Sequence, residues 1–219
     1  MNPDNPVVQL CSQGMQAEAE GRDADARAAF ERAWEIASDD YEACVAAHYL
    51  ARHQPTAQET LRWNQESLDR ADRVGDDRVK GFYASLHLNM AKAYRGLADP
   101  DQARRHFELA AAHIDDVPDG QYADWNRFAI AEGLRSVGAA PRAADDLLKD
   151  LLARFCARAD LKALGLVVTP YLADLGTEAD RMRLQTALHM LHAARSLPED
   201  EQNALGKAIS SLNGEAGHP

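Results

Sequence analysis

Apolar residues recur at three- and four-residue steps along almost the whole chain, and no run alternates in the manner of a strand. This periodicity predicts about eleven helices, over 6–20, 23–38, 39–53, 56–74, 77–97, 99–115, 120–137, 140–156, 158–175, 177–196 and 198–212. Stop and start signals fall between them. Asp99 is placed to cap a helix with Pro100 at its first position, and Thr56 with Glu59 forms a capping-box pattern. Gly21 closes one helix and Asp23 opens the next, an arrangement repeated by Gly138 and Pro141. The loops are short, so successive helices are expected to pack as antiparallel neighbours. The β-branched pair Val167–Val168 before Pro170 is expected as a kinked helix end, because a lone strand has no partner.

The chain also repeats itself. Ala26, Phe30 and Ala33 recur as Ala103, Phe107 and Ala110, each time on the second helix of a hairpin. Around the later copy, Ala91 and Tyr94 add to the pattern. Small residues let two helices approach, and the aromatic ring fills the groove between them. These residues resemble the tetratricopeptide repeat. The match is specific over 84–115, good over 7–40, and degenerate in a second unit, where Thr60, Asn64 and Ser67 take the places of alanine, aromatic and small residue. In a fourth unit Ala143 is kept and Leu147 replaces the aromatic. The steps of 34, 43 and 40 residues resemble the longer-helix repeats of bacterial regulatory proteins. The resemblance implies an all-α, right-handed solenoid of helix hairpins over 1–156, closed by capping helices over 157–213, with residues 214–219 a disordered tail.

Charge and cysteine content narrow the functional classes. A net charge of −11 argues against a phosphate-tracking nucleic-acid surface. Cys11, Cys44 and Cys156 are odd in number and scattered, which fits a reducing compartment rather than a disulfide framework. The N-terminal stretch does not read as a signal peptide and no segment is apolar enough to span a membrane, so the cytoplasm is the expected location. No phosphate-binding glycine loop, dinucleotide fingerprint or nucleophile elbow occurs, and no cofactor is expected.

One positional pattern suggests a site. Eight residues before each motif alanine stands a charge: Glu18, Arg52, Arg95 and Arg135. In tetratricopeptide arrays the first helices line the concave face, so the resemblance implies a column of three arginines there. Guanidinium forks in a groove favour a carboxylate or phosphate guest. His53, Lys92, Tyr49, Asn89 and Trp125 lie close enough in sequence to line the same surface. The expected function is a non-catalytic module binding an acidic peptide or a small anion. Solvated or internally paired arginines account for the pattern more simply.

A second, enzymatic or accessory reading rests on a pocket around His48, Asn64 and His87, polar residues at places where the repeat is apolar. A histidine there could serve as acid or base; a hydrogen-bonded polar core or a shifted register explains the same residues. His189 and His192 share a helix face without further ligands, so no metal site is expected. Self-association through the unmatched C-terminal helices is a third possibility.

Overall fold

The structure, a computed structural model, describes residues 3–138 and 144–215. The described residues are all-helical apart from turns and loops. Eleven α-helices follow in order among them: α1 Pro6–Ala19, α2 Asp23–Ile36, α3 Asp40–Leu50, α4 Ala57–Val74, α5 Asp77–Gly96, α6 Pro100–Ala112, α7 Gln121–Ser136, α8 Asp145–Ala157, α9 Leu161–Leu172, α10 Glu178–Ala194 and α11 Glu199–Glu215. Short 3-10 turns at Ala51–His53 and Ile114–Asp116 follow α3 and α6. Helices adjacent in sequence pack on one another, α1 on α2, α3 on α4, α4 on α5 and α5 on α6.

The helix ends follow from local chemistry. Asn5, Asp39, Thr56, Asp76, Asp99 and Thr177 each accept a backbone N–H of the first turn, satisfying donors that have no partner within the helix. Thr56 receives the Glu59 N–H at 3.2 Å and donates its hydroxyl to the Glu59 carboxylate at 2.9 Å. Asp23 is the first residue of α2, but the cap position is Arg22, whose side chain makes no capping bond. Instead Gly21 turns left-handed at φ +73° and the Arg22 N–H reaches back to the Ala17 carbonyl at 2.8 Å. Ala98 and Ala159 adopt the same left-handed turn at φ 58° and 56°, with Asp99 bonding to Tyr94 and Asp160 to Phe155. Alanine has a β-carbon there that glycine lacks. Ala98→Gly and Ala159→Gly are each expected to raise the unfolding free energy by roughly 0.5–1 kcal/mol, measurable by urea denaturation.

Val167 and Val168 are helical, within α9, which carries Pro170 inside it. α11 runs to Glu215, beyond the expected end at 212. Pro141 and Ala143 lie outside the described residues. Leu147 is only half-buried, whereas Ala144, Leu148 and Leu151 are at most 1 % exposed. α8 turns the face carrying Leu148 and Leu151 inward and leaves Leu147 at its margin.

The chain divides into two compact units, Met1–Gly133 and Leu134–Pro219. The sequence boundary at 156 falls near the end of α8, inside the second. In the first, Phe30 and Phe107 are fully buried and each lies against a glycine. Phe30 covers Gly14 of α1 and Phe107 covers Gly133 of α7. The core of the second is built from Ala144, Leu148, Leu151 and Phe155 of α8, Val167 and Tyr171 of α9, Leu184, Leu188 and Leu191 of α10, and Leu205, Ile209 and Leu212 of α11. Among the described residues no helix is long and apolar enough to cross a membrane.

Candidate functional site

Three cross-helix contacts set the frame of the site. Asn5, the cap of α1, donates its amide to Glu42 at 2.6 Å, so the start of α1 lies beside the start of α3. At the other ends, Arg52 and His53 both meet the Glu18 carboxylate, at 2.6 and 2.7 Å. Arg78 at the start of α5 lies over the Tyr41 ring, 5.0 Å from its centroid. The start of α1 thus lies beside the start of α3, and the start of α3 beside the start of α5.

Between them lies a cleft of about 930 Å³, reaching the start of α7. Its walls are ring-rich: Tyr41, His48 and Tyr49 from α3, Phe82 from α5 and Tyr122 from α7. Its charged lining consists of Asp39, Glu42, Asp77 and Asp116 with Arg52 and Arg78. No residue of α2, α4 or α6 lines it. The volume is that of a small-molecule or short-peptide site.

His48 is a wall residue of this cleft. Its ring meets Tyr49 and Phe82 edge-on at 5.5 and 5.6 Å. It is 6 % exposed, and its Nδ1 has no hydrogen-bond partner among the described residues. Burial, reinforced by the Arg52 charge, pushes its pKa down to about 4, so the ring is neutral at pH 7. Asn64 lies elsewhere, in a smaller space of about 260 Å³ with Arg52, Asn89 and Lys92. It donates to the Thr60 carbonyl at 2.9 Å, and its own Oδ1 has no partner among the described residues. Ser67, the third polar departure of this unit, is satisfied by donating to the Cys44 carbonyl at 2.9 Å.

His87 belongs to a different assembly. Its Nδ1 faces the Nδ1 of His106 at 3.1 Å, and the two rings sit in a stack that continues to Tyr94 on one side and to His113 and Tyr83 on the other. His48, Asn64 and His87 therefore occupy three different surroundings rather than one shared pocket.

Arg52, Arg95 and Arg135 stand in separate surroundings, and of the predicted groove residues only Lys92 borders the spaces of both Arg52 and Arg95. Arg52 stands between Glu18 and the Tyr49 ring, its guanidinium 4.8 Å from the ring centroid. His53 shares the same carboxylate and packs on Phe30. Arg52, Asn89 and Lys92 line one small space; Lys92, Arg95 and Trp125 line another of about 220 Å³, with Glu132. Lys92 lies 4.9 Å from the centroid of the Trp125 ring, and burial together with the Arg95 charge lowers its pKa. Arg135 is in the last turn of α7 and belongs to the unit Leu134–Pro219.

Two features escape a reading of the residues alone. One is the Glu18–Arg52 pair, whose members stand 34 residues apart in the sequence. The other is the acidic lining, whose members come from three separate segments. Among the described residues no group of three or more His, Cys, Asp or Glu side chains is placed to hold a metal ion. Cys11 and Cys44 are buried free thiols, their pKa values pushed up to about 12 and about 11 by burial. At neutral pH they remain protonated and unreactive.

The class these features define is an all-helical protein of stacked neighbours with a cleft between alternate helices. No family model, curated protein or solved structure matches the chain.

Proposed function

We propose that the chain is a non-catalytic binding module of tetratricopeptide type, coiled as a right-handed solenoid, which holds a peptide segment of a partner protein in the cleft between its first helices. One observation carries this reading: the cleft is walled by α1, α3, α5 and the start of α7, while α2, α4 and α6 contribute nothing to it. That is the division of labour expected of hairpins whose first members share a concave face. The wall is dominated by aromatic rings, which supply large contact area at low entropic cost. A reducing compartment such as the cytoplasm fits the three free cysteines.

Gly81 provides the test. It lines the cleft, and a β-carbon there would meet only the Asp116 carbonyl oxygen at 3.6 Å and Pro118 at 3.8 Å, ordinary contacts. Gly81→Trp places an indole in the cleft. Six-residue peptides selected on the wild-type protein from a random display library are expected to lose binding to Gly81→Trp and to weaken against Tyr49→Ala. They should bind unchanged to Arg32→Trp on α2, which lines no part of the cleft. Equal binding to wild type and both cleft variants overturns the proposal.

A second reading, a small-anion site, is favoured by Lys92 and Arg95 lining one space beneath Trp125. It predicts that inorganic phosphate or sulfate shifts the Trp125 fluorescence of the wild type and not of Lys92→Gln. No shift in the wild type sinks it. Arg52 supports an anion less directly, since Glu18 already holds its guanidinium.

A further inference from the structure

We infer that the guest of the cleft is a basic, apolar peptide segment, with a Lys or Arg side chain seated at the end formed by Asp39 and Glu42 and apolar neighbours laid along the rings of Tyr49 and Phe82. This rests on the binding-module reading and specifies its partner.

The charges on the cleft decide its sign. Both guanidiniums are already neutralised within the protein: Arg78 by the Asp76 carboxylate at 2.9–3.1 Å, and Arg52 by Glu18 at 2.6 Å. Of the carboxylates, Asp77 has Lys80 at 2.7 Å and Asp116 meets the His113 ring in a hydrogen bond at 3.3 Å. Among the described residues neither Asp39 nor Glu42 forms an ion pair; the guanidinium that acts on Asp39 from a distance is Arg78, already held by Asp76. Asp39 caps α3 through the Glu42 N–H; Glu42 accepts from the Ser38 N–H and hydroxyl and from Asn5. Those hydrogen bonds, the Ser38 N–H first among them, hold the Glu42 carboxyl below the usual range, so it is ionised at pH 7. Two carboxylates beside aromatic walls, neither of them in an ion pair, outweigh an Arg78 whose charge Asp76 already meets, and attract a cation while repelling an anion.

His48 is the independent sign that something is meant to sit there. A nine-tenths buried ring with an unpartnered nitrogen carries a desolvation cost, and it forms part of the cleft wall. Being neutral, it adds no charge that would oppose a basic guest. Length fits as well. From Asp39 to Arg52 the chain advances ~20 Å along α3, which an extended segment of about six residues spans.

The test uses fluorescein-labelled pools of six-residue peptides built from Leu, Phe and Tyr with one Lys per peptide, and matched pools carrying Glu or Gln in its place. By fluorescence anisotropy the Lys pool is expected to bind about tenfold or more tighter than the Glu pool, increasingly so at low salt. Asp39→Asn, which keeps a capping side chain, combined with Glu42→Gln, which keeps an acceptor for Ser38 and Asn5, is expected to weaken the Lys pool by about three- to tenfold and leave the Gln pool unchanged. If the Glu pool binds tighter and Gly81→Trp abolishes that binding, the basic guest is wrong while the cleft remains the site. If no pool binds, or Gly81→Trp and Tyr49→Ala block none of them, both the guest and the binding-module reading fall.

Discussion

Gly133→Ala should lower the unfolding free energy by about 2–3 kcal/mol, although alanine is the better helix former by about 1 kcal/mol. The added β-carbon would stand 2.0 Å from Cε1 and 2.3 Å from Cζ of Phe107, well inside contact distance. Phe107 is fully buried, so its ring cannot swing into solvent, and α6 and α7 must separate. Gly14→Ala should behave alike, since its β-carbon would fall 2.3 Å from Phe30. Urea denaturation measures the loss. Shortening the ring in Gly133→Ala/Phe107→Leu should recover part of it, a coupling that a merely local helix effect would not show. If Gly133→Ala is as stable as wild type, the ring does not lock the two helices as described.

Acid should destabilise the protein well above the pH at which ordinary carboxylates protonate. Burial, followed by the charge of Arg52, pushes His48 down to about 4; burial, then His106 and His113, pushes His87 down to about 4 as well. His106 is also lowered, by burial and by Arg105. An unfolded histidine titrates near 6.5, so on acidification protons bind the unfolded chain first. The stability held by the neutral rings is complete above about 6.5 and drains away as the pH falls to about 4. For His48 and His87 the interval is worth on the order of 3 kcal/mol each. The His87–His106 contact, Nδ1 to Nδ1 at 3.1 Å, accommodates one shared proton and not two. Urea midpoints at pH 7.5, 5.5 and 4.5 should decline in step, and His87→Gln should flatten the decline. Equal midpoints from pH 7.5 to 4.5 would contradict neutral buried rings.

The helices were readable because each carries its own signals. The Asp99–Pro100 and Thr56–Glu59 starts need only local hydrogen bonds, and these are present as expected. The fourth unit was harder. Leu147 fits the spacing, but it is half-buried beside the fully buried Leu148, and which of two adjacent leucines sinks deeper is decided by packing rather than by residue type. Pairings between distant residues were harder still. Arg52 looked available because its partner Glu18 lies 34 residues away, and the contact exists only once α1 and α3 lie together. The acidic side of the cleft was hidden for a different reason. Asp39, Asp77 and Asp116 each suit the local end of a helix or turn, so nothing in their own surroundings marks them as members of one lining. Polar departures at Thr60, Asn64 and Ser67 were visible as oddities, and Ser67 proves to be ordinary core satisfaction.

The central claim is that binding takes place on the first helices. Its most direct measurement is an amide chemical-shift map of the ¹⁵N-labelled protein titrated with the Lys peptide pool. The account predicts shifts concentrated at Tyr41, Tyr49, Phe82, Ser85 and Tyr122, with α2, α4 and α6 little changed. Shifts gathered on α2, α4 and α6, or confined to the unit Leu134–Pro219, would contradict it.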